Sequence, residues 1–265
     1  MKNELDYWQK AENDKTLKDL AWNFPEQKSK TLSIIGGHSA SFTTEVKVSE
    51  YVSNTFPFLK EVNNFFPDSL KSKFPPLENL KFFASSDSGS FKRSPDFRES
   101  LANSDFGLIL GDLSKNSETA LGISELIANS GSTPILLVRD SIDLVANESL
   151  NIIMKENLFI FASLAQLQKI FRALYYPKML LLSQPLLPVI ETLHKFTLSY
   201  PVSILTFHEG HFIAAQNGKV STIPLEKTAY SLISLWSGEL AAKISVFAMF
   251  NPSSPLESIL AAIVY

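Results

Sequence analysis

The sequence predicts an α/β protein: a three-layer α/β/α sandwich on a mostly parallel central sheet, with a small antiparallel edge near residues 202 to 223. Short apolar runs such as Leu32-Ser33-Ile34-Ile35 and Phe106 to Leu110 alternate with stretches of helical spacing, as strands joined by crossover helices do. These runs lack a polar face, which suits strands covered on both sides. Gly, Ser and Asp cluster where the runs end, and in parallel sheets ligands collect at those ends.

Residues 1 to 30 are a charged lead-in, anchored by Trp8, Leu17, Leu20 and Trp22, and read as a short helix and an extended segment closed by Pro25. Residues 31 to 265 then form one domain. A strand over 32 to 35 runs into Gly36-Gly37-His38-Ser39-Ala40-Ser41, and Thr43 or Thr44 caps a helix carrying Val48, Tyr51, Val52 and Phe56 at helical spacing. Glu61 to Phe66 and Leu80 to Ala84 are strands, with a short helix after Asp68 and a polar loop at Ser85-Ser86-Asp87-Ser88-Gly89-Ser90. Ser94-Pro95 opens a helix reaching Asn103, with Ser as cap and Pro at the first position. The strand at Phe106 to Leu110 meets Gly111-Asp112-Leu113-Ser114, a helix covers 117 to 130, and Pro134 to Val138 is the next strand. Leu158 to Ala162, Met179 to Leu182 and Val202 to Phe207 read as strands, with helices over 164 to 171 and 186 to 199. His208-Glu209-Gly210-His211 and Asn217-Gly218 are tight turns, and helices near 228 to 235, 239 to 250 and 255 to 265 finish the chain.

Composition excludes several functions. A net charge of −3 with dispersed Lys and Arg argues against a nucleic-acid partner. With no cysteine there is no disulfide, thiolate nucleophile or Cys-based zinc site. No 18-residue apolar stretch and no basic, apolar leader occur, so a cytoplasmic protein without a membrane partner is expected. Only 10 glycines serve 265 residues, leaving little backbone for glycine-rich phosphate loops.

Leu235-Trp236-Ser237-Gly238-Glu239 looks like a turn feeding an apolar helix, and helix N-termini attract anions. Helix capping by Ser237 with Glu239 as a first-turn acid accounts for the same residues. Gly36-Gly37-His38-Ser39 is either a phosphate cradle or a plain strand-to-helix turn. Asp112 and Asp140 sit at strand ends, where a magnesium or hydroxyl contact competes with solvated loop acids. His208 and His211 have a metal-like separation but flank a turn with no completing ligand, so no metal site is assigned. The runs Phe56-Pro57-Phe58, Phe65-Phe66 and Phe82-Phe83 read as core, or as a contact within a homo-oligomer.

The order of these pieces, over almost the whole chain, resembles the ribokinase-like ADP- or ATP-dependent NAD(P)H-hydrate dehydratases. That family's Gly-Gly-Ser matches Gly36, Gly37 and, one residue late, Ser39. Its Gly-Pro-Gly falls on Gly111-Asp112-Leu113, and its Asp-Ala-Asp segment on Arg139-Asp140-Ser141-Ile142-Asp143. Its His-Pro-Gly-Glu falls near Phe161-Ala162-Ser163-Leu164 with no residue kept, and its Lys-Gly on Phe207-His208. The Gly-Lys-Val of its hairpin fits Gly218-Lys219-Val220. The signature Gly-Gly-Ser-Gly-Asp corresponds to Leu235-Trp236-Ser237-Gly238-Glu239, with bulk replacing both leading glycines and Glu replacing the catalytic Asp.

The resemblance implies a lyase that uses ADP or ATP, with Mg2+ as a further candidate, to dehydrate NAD(P)H hydrates in nicotinamide nucleotide repair. Glu239 would be its catalytic acid or base, Ser237, Gly238, Gly111 and Asp112 its nucleotide contacts, and Gly36, Gly37, His38, Ser39 and Asp140 its substrate contacts. The lost motifs support a second expectation, a ribokinase-like binding or assembly module without the nucleotide site. A small-molecule kinase of the wider group fits less well, since it depends still more on an Asp and an anion hole at this turn.

Overall fold

The computed structural model describes residues 5–11, 15–146, 149–227, 230–231 and 233–265. In chain order the elements are β1 (Trp8–Lys10), α1 (Lys15–Ala21), β2 (Ser29–Gly36), α2 (Thr43–Thr55), β3 (Leu59–Pro67), β4 (Leu80–Phe83), α3 (Pro95–Arg98), β5 (Phe106–Gly111) and α4 (Ser117–Asn129). Next come β6 (Ile135–Val138), α5 (Asp140–Val145), α6 (Ser149–Ile153), β7 (Leu158–Phe161), α7 (Leu164–Ala173), α8 (Leu186–Ser199) and β8 (Ser203–His208). The chain ends with β9 (His211–Gln216), β10 (Lys219–Pro224), α9 (Ser234–Ser237), α10 (Glu239–Phe250) and α11 (Pro255–Val264).

Among the described residues ten strands form one sheet in the order β1-β10-β9-β8-β7-β6-β5-β2-β3-β4. All pairings are parallel except those that β9 makes with β8 and β10. The antiparallel edge therefore lies where the turns at Glu209-Gly210 and Asn217-Gly218 put it, and all four turn residues have positive φ. β2, β5, β6, β7 and β8 are buried along nearly their whole length because helices cover both faces. One core packs α1, α2, α10 and α11 against the sheet and a second packs α3 to α8 on the opposite face. Nine of the twelve residues of α10 are buried, which is why its sequence is apolar all round.

Several local expectations are corrected. Met179 to Leu182 is no strand: Leu180 alone of the four is buried, and β7 pairs directly with β8, leaving no slot. The helix from Pro95 stops at Arg98 rather than Asn103, where the Ser100 hydroxyl donates to the Phe97 carbonyl and turns take over. Asp68 opens a 3-10 helix to Lys73. Neither Thr43 nor Thr44 caps α2, since Phe42 holds the cap position without a side-chain bond. The lead-in contributes a strand, β1, which pairs with β10 and is pinned by the Trp8 indole donating to Thr222 Oγ1 at 3.0 Å. α5 and α6 lie where the apolar spacing of the sequence marks no element. The helix expected near 228 to 235 lies partly outside the described residues, which begin α9 only at Ser234.

Candidate functional site

Connections after β2 run outward to β3 and β4, whereas the chain returns across β2 to begin β5 and then proceeds the other way. The carboxyl ends of β2 and β5 therefore flank a topological switch point, where parallel sheets open a crevice for ligands. Gly36 pairs with Gly111 there after a register shift, and the Gly37 amide donates to the Gly111 carbonyl at 3.0 Å.

The loops after β5 and β6 are strained and bonded to each other. Gly111, Asp112 and Arg139 have φ of 120°, 51° and 60°, a region side chains enter only when their surroundings impose it. Both Asp140 carboxylate oxygens point into the loop, accepting from the Asp112 amide at 2.9 Å and the Leu113 amide at 3.0 Å. A Cβ on Gly111 would lie 2.1 Å from Asp140 Oδ1, so only glycine fits. Arg139 Nη2 meets Asp112 Oδ1 at 2.8 Å with both side chains 14% exposed. Gln166 locks the second layer, donating to the Arg139 carbonyl at 2.6 Å and to Asp143 at 3.1 Å while completing the Ser163 capping box of α7.

Glu45 reaches the same junction from α2. It is 1% exposed, neither carboxyl oxygen has a hydrogen-bond partner elsewhere among the described residues, and a Cβ on Gly36 would lie 2.4 Å from its Oε1. Burial pushes its pKa well above the ordinary carboxylate value, Asp112 and Asp140 push the same way, and its own backbone amide and Arg139 oppose them. One turn on, Val48 meets Gly238: a Cβ there would lie 2.9 Å from Val48 Cγ2 and 2.6 Å from Leu110 Cδ1. With φ of 82°, Gly238 ends α9 and starts α10 against the end of β5.

Ser237 does not cap α10. Its hydroxyl donates back to the Ser234 carbonyl, Gly238 holds the cap position, and no side chain caps the helix. Burial, then Tyr230, then Glu239 raise the pKa of the Tyr51 phenol to about 12, and burial followed by Glu239 raises that of Tyr230. Lys243 Nζ donates to the Tyr230 hydroxyl at 3.0 Å.

Beside α9 a pocket of about 400 Å3 opens at the carboxyl ends of β7 and β8, walled by Leu164, Leu182, Phe207, Leu225, Leu235 and Trp236. Its polar neighbours are spent within the protein: His208 Nε2 contacts the Gln184 carbonyl at 2.7 Å, and the Glu209 carboxylate accepts the Leu186 amide at 2.7 Å.

Of the sequence-predicted residues, the structure brings together Gly36, Gly37, Gly111, Asp112, Asp140 and, through Leu110 and Val48, Gly238. His38 and Ser39 turn to other partners: His38 Nδ1 accepts the Ala40 amide, and the Ser39 amide donates to Gly89. His208 and His211 flank the β8–β9 turn, and among the described residues no group of three or more His, Cys, Asp or Glu could hold a metal ion. Sequence reasoning missed Glu45 and Gln166 as site residues. An acid three residues before Val48, on the apolar face of α2, was the available signal for Glu45.

No protein-family model and no curated protein matches the sequence. Solved structures do match. A ribokinase-like superfamily protein of Enterococcus faecalis V583 has a TM-score of 0.65 at 12% identity, over 98% of this chain and 86% of that one. Bacillus subtilis YxkO, a member of the UPF0031 family, gives 0.61 at 9% over 93% and 84%. Bacillus subtilis pyridoxal kinase, solved as an ADP complex, gives 0.51 at 11% over 89% of each chain. These likenesses establish the class of fold. The chain has an α/β fold like that of these ribokinase-like neighbours, and among its described residues no helix is long and apolar enough to cross a membrane.

Proposed function

We propose that this chain is a ribokinase-like binding module that has given up nucleotide-dependent chemistry and receives a flat, largely uncharged ring in the pocket beside Trp236. The observation that carries the reading is Asp140: its carboxylate occupies the Asp112 and Leu113 amides that an incoming phosphate would need. A phosphate must displace this internal anion and also free Arg139 from Asp112. Leu235 and Trp236 add bulk where a backbone must approach a phosphate closely. The apolar pocket at the ends of β7 and β8 offers stacking on Trp236 and Phe207 instead. Titration calorimetry with ADP, ATP and AMP, with and without Mg2+, tests the reading. No heat at millimolar nucleotide is expected, and micromolar binding overturns it.

A second reading keeps the ADP- or ATP-dependent dehydration of NAD(P)H hydrates, with Mg2+ optional. It is favoured by Gly238 in the left-handed conformation and by the uncapped start of α10 with Glu239 in its first turn. Under it, Glu239→Gln abolishes turnover and spares nucleotide binding. Unchanged turnover in that variant removes Glu239 from the chemistry.

A further inference from the structure

We propose that Lys243 is a carbonyl-reactive amine, a site where a small uncharged aldehyde is captured as an imine with Tyr230 as proton donor. The inference is independent of the pocket beside Trp236. Lys243 lies on the second turn of α10, its Nζ 3.0 Å from the Tyr230 hydroxyl and over the Tyr230 and Phe247 rings at 5.5 and 5.8 Å. Among the described residues no carboxylate forms an ion pair with it. Partial burial lowers the ammonium pKa, which enlarges the neutral, nucleophilic fraction. Burial and Glu239 together keep the Tyr230 phenol protonated, so it remains a donor. Glu239, one helical turn before Lys243, disfavours an anionic ligand, and the two rings suit an apolar one.

The Nζ lone pair attacks the carbonyl carbon, and the C–O π pair moves to oxygen, which takes the Tyr230 hydroxyl proton. An Nζ proton restores the phenol. The carbinolamine oxygen then leaves as water with a proton from solvent, and the nitrogen lone pair closes the C=N bond as a protonated imine. No oxidant or reductant is needed.

Reductive trapping tests this. The intact protein is treated with acetaldehyde and cyanoborohydride at pH 7.5, and alkylated lysines are mapped by mass spectrometry. Lys243 is expected to react about tenfold faster than exposed Lys28, and Tyr230→Phe to slow it about tenfold without affecting Lys28. Thermal unfolding of Tyr230→Phe checks that the variant is folded, and Tyr230→His, which keeps a donor, is expected to recover part of the rate. Alkylation of Lys243 no faster than Lys28 overturns the site, and an unchanged rate in folded Tyr230→Phe overturns the assigned donor.

Discussion

Two stretches of the same sheet rim have been settled in opposite ways. At the ends of β2 and β5, glycines let the backbone come close, and the space is filled by the chain's own Glu45, Asp112, Arg139 and Asp140. At the ends of β7 and β8, the wall is Leu164, Phe207, Leu235 and Trp236, and a pocket stays open. Both places lie at strand ends of one sheet. Side chains decide which of them the chain fills, and here the polar place is occupied from within while the apolar one is left as a pocket.

Substitutions can break this contrast, and the largest effects belong to the closed side. Gly111→Ala forces a side chain into φ of 120° and a Cβ within 2.1 Å of Asp140 Oδ1. A loss of about 4 kcal/mol in urea unfolding is expected, the range of strained or overpacked core sites. Arg139→Met leaves the Asp112 carboxylate, 14% exposed, without its partner, at a cost on the order of 3 kcal/mol by the same assay. Trp236→Ala lies on the open side, where the indole is 49% exposed, and is expected to change stability by less than about 0.5 kcal/mol.

Glu45 sharpens the comparison through pH. Its folded pKa is raised well above the ordinary carboxyl value of 4.5, chiefly by burial, so between the two values the folded state holds a proton that the unfolded chain has lost. Stability contributed by this group is therefore complete below about 4.5 and declines as pH rises toward the folded pKa. Glu45→Gln removes the titration. Urea unfolding across pH 5 to 8 should show the wild type losing stability relative to the variant, and parallel curves would refute a raised Glu45 pKa.

Much of this architecture is legible in the sequence because it rests on local chemistry. Apolar runs such as Phe106 to Leu110 and Val202 to Phe207 name their strands, and Asn217-Gly218 names its hairpin. Met179 to Leu182 misled because an apolar run carries no mark of whether a sheet has room for it. β1 escaped notice because its pairing with β10 depends on residues more than two hundred positions away. The site was readable as a set of strand-end glycines and acids. What they do to each other was not, since the Asp140 bonds to the 112 and 113 amides and the approach of Glu45 to Gly36 exist only once α2, β2, β5 and α5 are assembled.

The claim that the polar rim is occupied from within is tested most directly by amide hydrogen exchange at Asp112 and Leu113. Both amides should be protected in the ligand-free protein and unchanged by millimolar ADP with Mg2+, because Asp140 already holds them. Rapid exchange that slows when ADP and Mg2+ are added would contradict the account and return the rim to a nucleotide.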